Sequence, residues 1–327
     1  MKRLAAIFRV GLIALGLFIA MCFVVTFVRN RPLPPAPDHA FIKPSFDRLP
    51  AMSACWIEFD HDTAPGQAAT AGFTRLHTWE LTASGLLIRH PQGSVLIDSG
   101  NSTHFQEEVA DYPFWSHLHF EILTGGKSAA HRAPDVLRSS GIDPSTVSAV
   151  LLSHVHMDHA GGVMDTPDVP VLLSPEELDF AKKNRDTRTI QVVPGHAREI
   201  QRRAHLLDFQ PKAYETFDES ADLFGDGSVV VVKLPGHTPG SVGTFLNLSP
   251  TQRIFHVGDA VNVTEAVNRR LPKSLLMATT DNDSRQADLT VAKLAQLHSL
   301  DPALLILPAH DRSAWKTAFG SAPGCIR

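Results

Sequence analysis

The uncharged run VGLIALGLFIAMCFVVTFV, from Val10 to Val28, is the longest apolar stretch in the chain. At ~1.5 Å per residue, a helix of that length nearly matches the ~30 Å hydrocarbon layer of a bilayer. It therefore predicts an N-terminal transmembrane helix over about residues 10–28. The run lacks the polar face of a core helix. No A-x-A-like site follows, which favours an uncleaved anchor over a signal peptide. Lys2, Arg3 and Arg9 precede it, and Arg29, Arg31 and the Pro-rich RPLPPAP follow. A short basic tail before a first helix usually stays inside. The expectation is a single-pass membrane protein: an anchor over residues 1–30, a linker over 31–52, and a body over 53–327 on the extracytoplasmic (periplasmic) side.

Within the body the apolar pattern alternates between strand and helix periods. GLLIR, the turn HPQG and SVLID read as a hairpin. APDVLRSSGID from Ala133 reads as a helix with Pro134 near its start and Gly141 as its stop. VSAVLLSH reads as a buried strand ending at His154. SPEELDFAKKN is a helix with Ser174 as N-cap, Pro175 at its first position and Glu177 completing a capping box. GSVVVVKLPGH, RIFHVGDA and PALLILPAH are strands ending at His237, Asp259 and His310. The segment Gln286–Leu300 places Ala287, Val291, Leu294, Ala295 and His298 on one helical face. Such alternation predicts an α/β fold with helices covering sheet surface. Asn101–His131 and Asn184–Gly227 fit neither period and read as insertions near a site.

Composition changes this picture little. The chain has 327 residues, 43% hydrophobic and 20% charged, with a formal net charge of −4. That is an ordinary globular balance with no basic patch in the body, so no nucleic-acid partner is expected. Cys55 and Cys325 flank the body at its two ends. Domain termini often lie close together, so a bridge between them is a hypothesis that the sequence leaves open.

The chemistry concentrates in LLSHVHMDHAGG, Leu151 to Gly162. Alternation along an extended chain puts His154 and His156 on one side. A turn after Met157 aims Asp158 and His159 at a neighbouring position. HAGG supplies small residues where backbone passes close to something. His237, Asp259 and His310 each follow an apolar strand run, at the sheet edge where α/β proteins bind ligands. Catalytic zinc takes three protein ligands plus water, so five histidines and two aspartates exceed the need of one ion. The division is His154, His156 and His237 on one ion, and Asp158, His159 and His310 on the other, with Asp259 bridging. Asp98, ending VLID, and Asp311, after His310, are candidates to orient ligand imidazoles.

Together VLIDSG, HVHMDHAGG, LPGHTPGS, HVGDA and LPAHD resemble the five motifs of the metallo-β-lactamase superfamily over about Thr78 to Ala314. The resemblance implies a four-layer αβ/βα sandwich with a binuclear site at one edge, and two Zn²⁺ or other divalent ions per chain. It also implies that Asp98 supports the site. N-acyl-homoserine lactonases and glyoxalase II are similar in ligand pattern. The chain ends too soon after His310 for the C-terminal helical domain of glyoxalase II. The lactonases carry a tyrosine three residues after the bridging aspartate, where this chain has Asn262. Tyr214 or Asn262 itself is then the candidate oxyanion helper. The expected activity is hydrolysis of a lactone or ester carbonyl of a small molecule by a metal-bridging hydroxide, with Asp158 as proton shuttle. A phosphodiesterase or nuclease of the same fold, and a non-catalytic metal-binding domain held at a membrane, stay open as alternatives. Phe105, Phe114, Trp115, Phe120, Phe209 and Phe217 are candidates to line the substrate pocket.

Overall fold

The computed structural model describes residues 2–27, 32–38, 40–46, 48–70, 77–124, 126–166, 168–189 and 191–327. Two sheets face each other. The first runs in spatial order β12-β1-β2-β3-β4-β5-β6. Its strands are β1 (Ser53–Pro65), β2 (Thr78–His90), β3 (Gly93–Ile97), β4 (Val147–Leu151), β5 (Val171–Leu173), β6 (Ala204–Leu206) and β12 (Cys325–Ile326). The second runs β11-β10-β9-β8-β7, with β7 (Ala221–Asp222), β8 (Val229–Lys233), β9 (Val242–Ser249), β10 (Gln252–Gly258) and β11 (Leu305–Pro308). The strands β3 to β6 pair in parallel, as do β10 and β11; the other pairs are antiparallel.

The run of valines in β8 shows why four layers form. Val229 and Val231 face the inter-sheet core with Trp56, Ile88, Leu246 and Trp315. Val230 and Val232 point to the opposite face, where Val291, Leu294 and Ala295 of the helix Ser284–Leu300 cover them. A strand buried on both faces needs a continuous apolar run. On the outside of the first sheet, Val150, Leu152, Val171 and Leu173 pack under Leu178, Phe180 and Ile200 from the helices Pro175–Asn184 and Pro194–Arg203. The architecture is the expected αβ/βα sandwich.

Among the described residues, however, no helix is long and apolar enough to cross a membrane. The helix Lys2–Phe27 has described side chains only from Arg9 to Phe23, all exposed. Val28, Arg29 and Arg31 lie outside the described residues. The expected transmembrane helix, the membrane as partner and the extracytoplasmic placement are corrected accordingly.

The predicted strands and helices sit close to their expected positions, with three differences. The first strand of the hairpin starts earlier, at Thr78, and β1 pairs along its whole length. Beyond Phe59, β1 is exposed or half-buried and forms an arm over the site. The insertion Asn184–Gly227 supplies a helix and sheet-edge strands away from that site, because its apolar residues Val192, Val193, Ala197 and Ile200 complete neighbouring packing. Cys55 and Cys325 form a disulfide, in register between β1 and β12.

Candidate metal centre

Four segments meet at one edge of the sandwich, each just beyond the carboxyl end of a strand. After β4 the chain passes through His154 and His156 and enters the short helix Met157–Ala160, which carries Asp158 and His159. His237 follows β8, Asp259 follows β10, and His310 follows β11. The tight passage after His159 needs glycine. A Cβ on Gly161 would stand 2.2 Å from Ser102 N, and one on Gly162 would stand 2.1 Å from Ser99 O.

Four of the five imidazoles have Nδ1 engaged. His154 Nδ1 lies 3.0 Å from Ser153 Oγ, and His159 Nδ1 lies 2.8 Å from Asp98 Oδ2. His237 Nδ1 lies 2.8 Å from Asp281 Oδ1, and His310 Nδ1 donates to Thr82 O at 2.7 Å. Their Nε2 atoms are thereby aimed inward. The Nε2 atoms of His154, His156 and His237 are buried without any hydrogen-bond partner. Buried polar atoms are normally paired, so three converging orphans mark a cation site. The ligating atoms of this trio lie within 4.8 Å of one another, and so do those of Asp158, His159 and His310 and of His154, His159 and Asp259. Asp259 stands between the first two groups. Its Oδ2 lies 3.2 Å from His310 Nε2 and 3.5 Å from His237 Nε2, and its Oδ1 lies 3.3 Å from His159 Nε2. The donor set fits two cations: it is a binuclear metal-binding site built from histidine and aspartate.

The electrostatics divide the imidazoles into two groups. Burial holds His154, His156 and His237 below the usual imidazole range, in the neutral form that ligates metal. At His159 burial acts in the same sense, but Asp259, Asp98 and Asp158 outweigh it and raise the imidazole. His310 is likewise pushed up to about 10 by Asp259 and Asp158, against its burial. Burial would raise Asp158, yet His159 and His310 hold it well below the usual carboxylate range. His310 and His159 do the same for Asp259. Carboxylates crowded this way are tolerable only beside positive charge.

The centre forms the floor of a cavity of about 440 Å³. His156, Asp158, His237, Asp259 and His310 line it below. Phe59, Trp79, Leu81, Phe120, Ile122 and Met277 supply apolar wall, and the β1 arm Asp60–Pro65 borders it.

All seven expected ligands therefore converge. Asp98 accepts from Ser153 N and Oγ and faces His159. Asp311 is engaged elsewhere. It caps the helix Arg312–Phe319 and accepts from Thr264, while His310 turns to the Thr82 carbonyl instead. Neither proposed oxyanion helper reaches the cavity. Tyr214 is buried in the outer core, its hydroxyl accepting from Asn247. Asn262 is buried and donates to Ala69 O. Of the six aromatics, only Phe120 lines the cavity. Phe105 packs beneath it, Phe114 and Trp115 are exposed, and Phe209 and Phe217 belong to other clusters.

Sequence reasoning missed Asp281, and with it Lys273, whose buried Nζ donates to Asp281 at 2.6 Å. Neither sits in a motif. It also missed the cavity walls Phe59, Trp79 and Met277. The alternation in TWELTASGLL was a usable signal for extending β2 back to Trp79.

Comparison with known proteins bears on the same residues. The family model described as the metallo-beta-lactamase superfamily matches residues 78–310. The N-acyl homoserine lactonase AttM of Azorhizobium caulinodans is 26% identical over 253 residues, 75% of this chain and 88% of that protein. A probable metallo-hydrolase of Mycobacterium tuberculosis is 25% identical over 244 residues, 72% of this chain and 77% of its own length. Among solved structures, an N-acyl homoserine lactone hydrolase with N-hexanoyl-L-homoserine at its catalytic metal centre superposes with a TM-score of 0.60. That match covers 82% of this chain and 97% of the other at 17% identity, a likeness of fold.

Proposed function

The chain belongs to the metallo-β-lactamase superfamily, and from that membership we propose that it hydrolyses a lactone or ester carbonyl of a small molecule. The observation that carries this reading is the trio of orphaned Nε2 atoms on His154, His156 and His237, the last two of which line an apolar-walled cavity. The named activity of the AttM relative supports a lactone as the first substrate class to test.

His154, His156 and His237 would hold one cation, and Asp158, His159 and His310 the other, with Asp259 shared. When bound, such a pair supplies a hydroxide nucleophile at neutral pH and Lewis-acid stabilisation of developing charge. The remaining work falls to the chain. Asp98, Asp281 and the Thr82 carbonyl keep His159, His237 and His310 in the tautomer that offers Nε2. Asp158 borders the cavity and stays ionised, so its carboxylate is the group able to take a proton from the nucleophile and return it to the leaving alkoxide. Phe59, Trp79, Leu81 and Phe120 receive an apolar acyl or aryl portion and exclude water around the carbonyl.

The test is metal analysis of reconstituted protein together with a panel of lactones, esters and phosphodiesters. Two zinc equivalents with turnover of lactones or esters is the expected result. Fewer than two equivalents, or turnover of phosphodiesters alone, overturns it.

A further inference from the structure

Ser174 and Glu177 make a S-x-x-E capping box in sequence. In such a box the glutamate reaches back to the N-cap backbone. Ser174 does cap the helix Pro175–Asn184, its Oγ accepting from Glu177 N at 3.1 Å. Glu177 does something else. Its side chain is wholly buried and turns outward from the helix start to two loops. Oε1 accepts from Val155 N at 2.8 Å. Oε2 accepts from Thr238 Oγ1 at 2.6 Å and from Gly240 N at 3.0 Å.

The placement of these donors is what matters. Val155 lies between His154 and His156. Thr238 directly follows His237. One carboxylate thus ties together the two loops that carry the whole first histidine trio. The same helix start reinforces the tie, since Ser174 Oγ donates to Gly240 O at 2.7 Å. The approach is so close that a Cβ on Gly240 would stand 2.1 Å from Glu177 N. Glu177 touches none of the imidazoles and does not line the cavity.

We propose that Glu177 is a positioning residue for one of the two cations: it sets the separation of the His154–His156 loop from the His237 loop, and so the fit of that trio to its ion. The inference rests on the binuclear reading above. Burying an acid here is costly, and burial pushes the Glu177 carboxyl up to about 7. A carboxylate provides acceptors on both sides at once. Glutamine offers one acceptor oxygen and turns an N–H₂ donor toward the other loop, where it meets a donor. Glu177→Gln should therefore release one loop while keeping size and shape.

The experiment is zinc binding by competition with a chromophoric chelator, together with urea unfolding of the metal-free proteins. Wild-type protein is compared with Glu177→Gln, and Glu176→Gln on the same helix serves as the control. Affinity for one of the two zinc equivalents should fall about 10- to 100-fold in Glu177→Gln and stay unchanged in Glu176→Gln. The other equivalent should keep its affinity. A purely structural role would lower unfolding stability and leave both zinc affinities intact in the folded protein, which overturns the proposal. Wild-type protein that binds fewer than two equivalents overturns the binuclear reading and this inference with it. If Glu177→Gln does not fold, Thr238→Val cuts one of the same links. It should weaken one zinc equivalent several-fold, and unchanged affinity there refutes the proposal.

Discussion

His237 Nδ1 and Asp281 Oδ1 lie 2.8 Å apart, although 44 residues separate them in sequence. Lys273 donates to the same carboxylate oxygen. Lys273 first and His237 second hold the Asp281 carboxyl below its usual range, against its burial. An ionised Asp281 fixes the His237 proton on Nδ1 and leaves Nε2 to ligate. Asp281→Asn should lower zinc affinity about 10- to 100-fold, the usual effect of removing a partner that orients a metal-binding imidazole. Chelator competition checks it; an unchanged affinity means His237 needs no orienting carboxylate.

Asp158 is a separate case, since it borders the cavity and carries the proposed proton. Asp158→Asn should keep the fold and reduce kcat about 10²- to 10⁴-fold once reconstituted with zinc. Steady-state kinetics with metal content measured on the same sample decides it. Full metal and an unaltered kcat refute the shuttle role.

His256 predicts a pH dependence of stability. It is buried on β10 with neither ring nitrogen hydrogen-bonded. Burial pushes its imidazole down to about 4, from 6.5 in the unfolded chain. Between those values the unfolded state binds more protons. Stability is therefore complete above pH 6.5 and is lost as pH falls toward 4, by about 3 kcal/mol. Urea unfolding of metal-free protein at pH 7 and pH 4 should show that extra loss in wild type relative to His256→Leu. Equal losses in the two proteins would sink the assignment.

The Cys55–Cys325 disulfide closes almost the entire body, with 270 residues between its ends. Closing so long a loop restricts the unfolded chain and is worth about 3–5 kcal/mol. Urea unfolding of the Cys55→Ser/Cys325→Ser double variant should show a loss of that size. The β1–β12 pairing is short, so little else holds the C-terminal strand. A loss below about 1 kcal/mol would show that the denatured state is not constrained by the bridge.

Much of the site was legible because its signals are local. His154, His156, Asp158 and His159 fall within six positions, and the other three ligands each end an apolar run that fixes a strand. Asp98 was legible for the same reason. The partners of those ligands were not. Asp281 lies in an unpatterned turn. Asp311 resembled a partner by adjacency to His310, but adjacent side chains along an extended segment diverge, and it became a helix cap. Tyr214 was suggested by a missing tyrosine elsewhere, yet its hydroxyl is committed to Asn247 in the outer core.

Periodicity and motif spacing by themselves determined the layered α/β class and pointed to the histidines and aspartates that follow the strands, because each signal depends on contacts within a few residues. Tertiary structure alone decided which atoms the imidazoles present, what walls the cavity, and that Glu177 leaves its capping box to join two ligand loops. Those outcomes depend on hydrogen bonds between segments tens to hundreds of residues apart. A buried polar group takes whichever partner the packed layers bring within reach, and no local pattern encodes that choice.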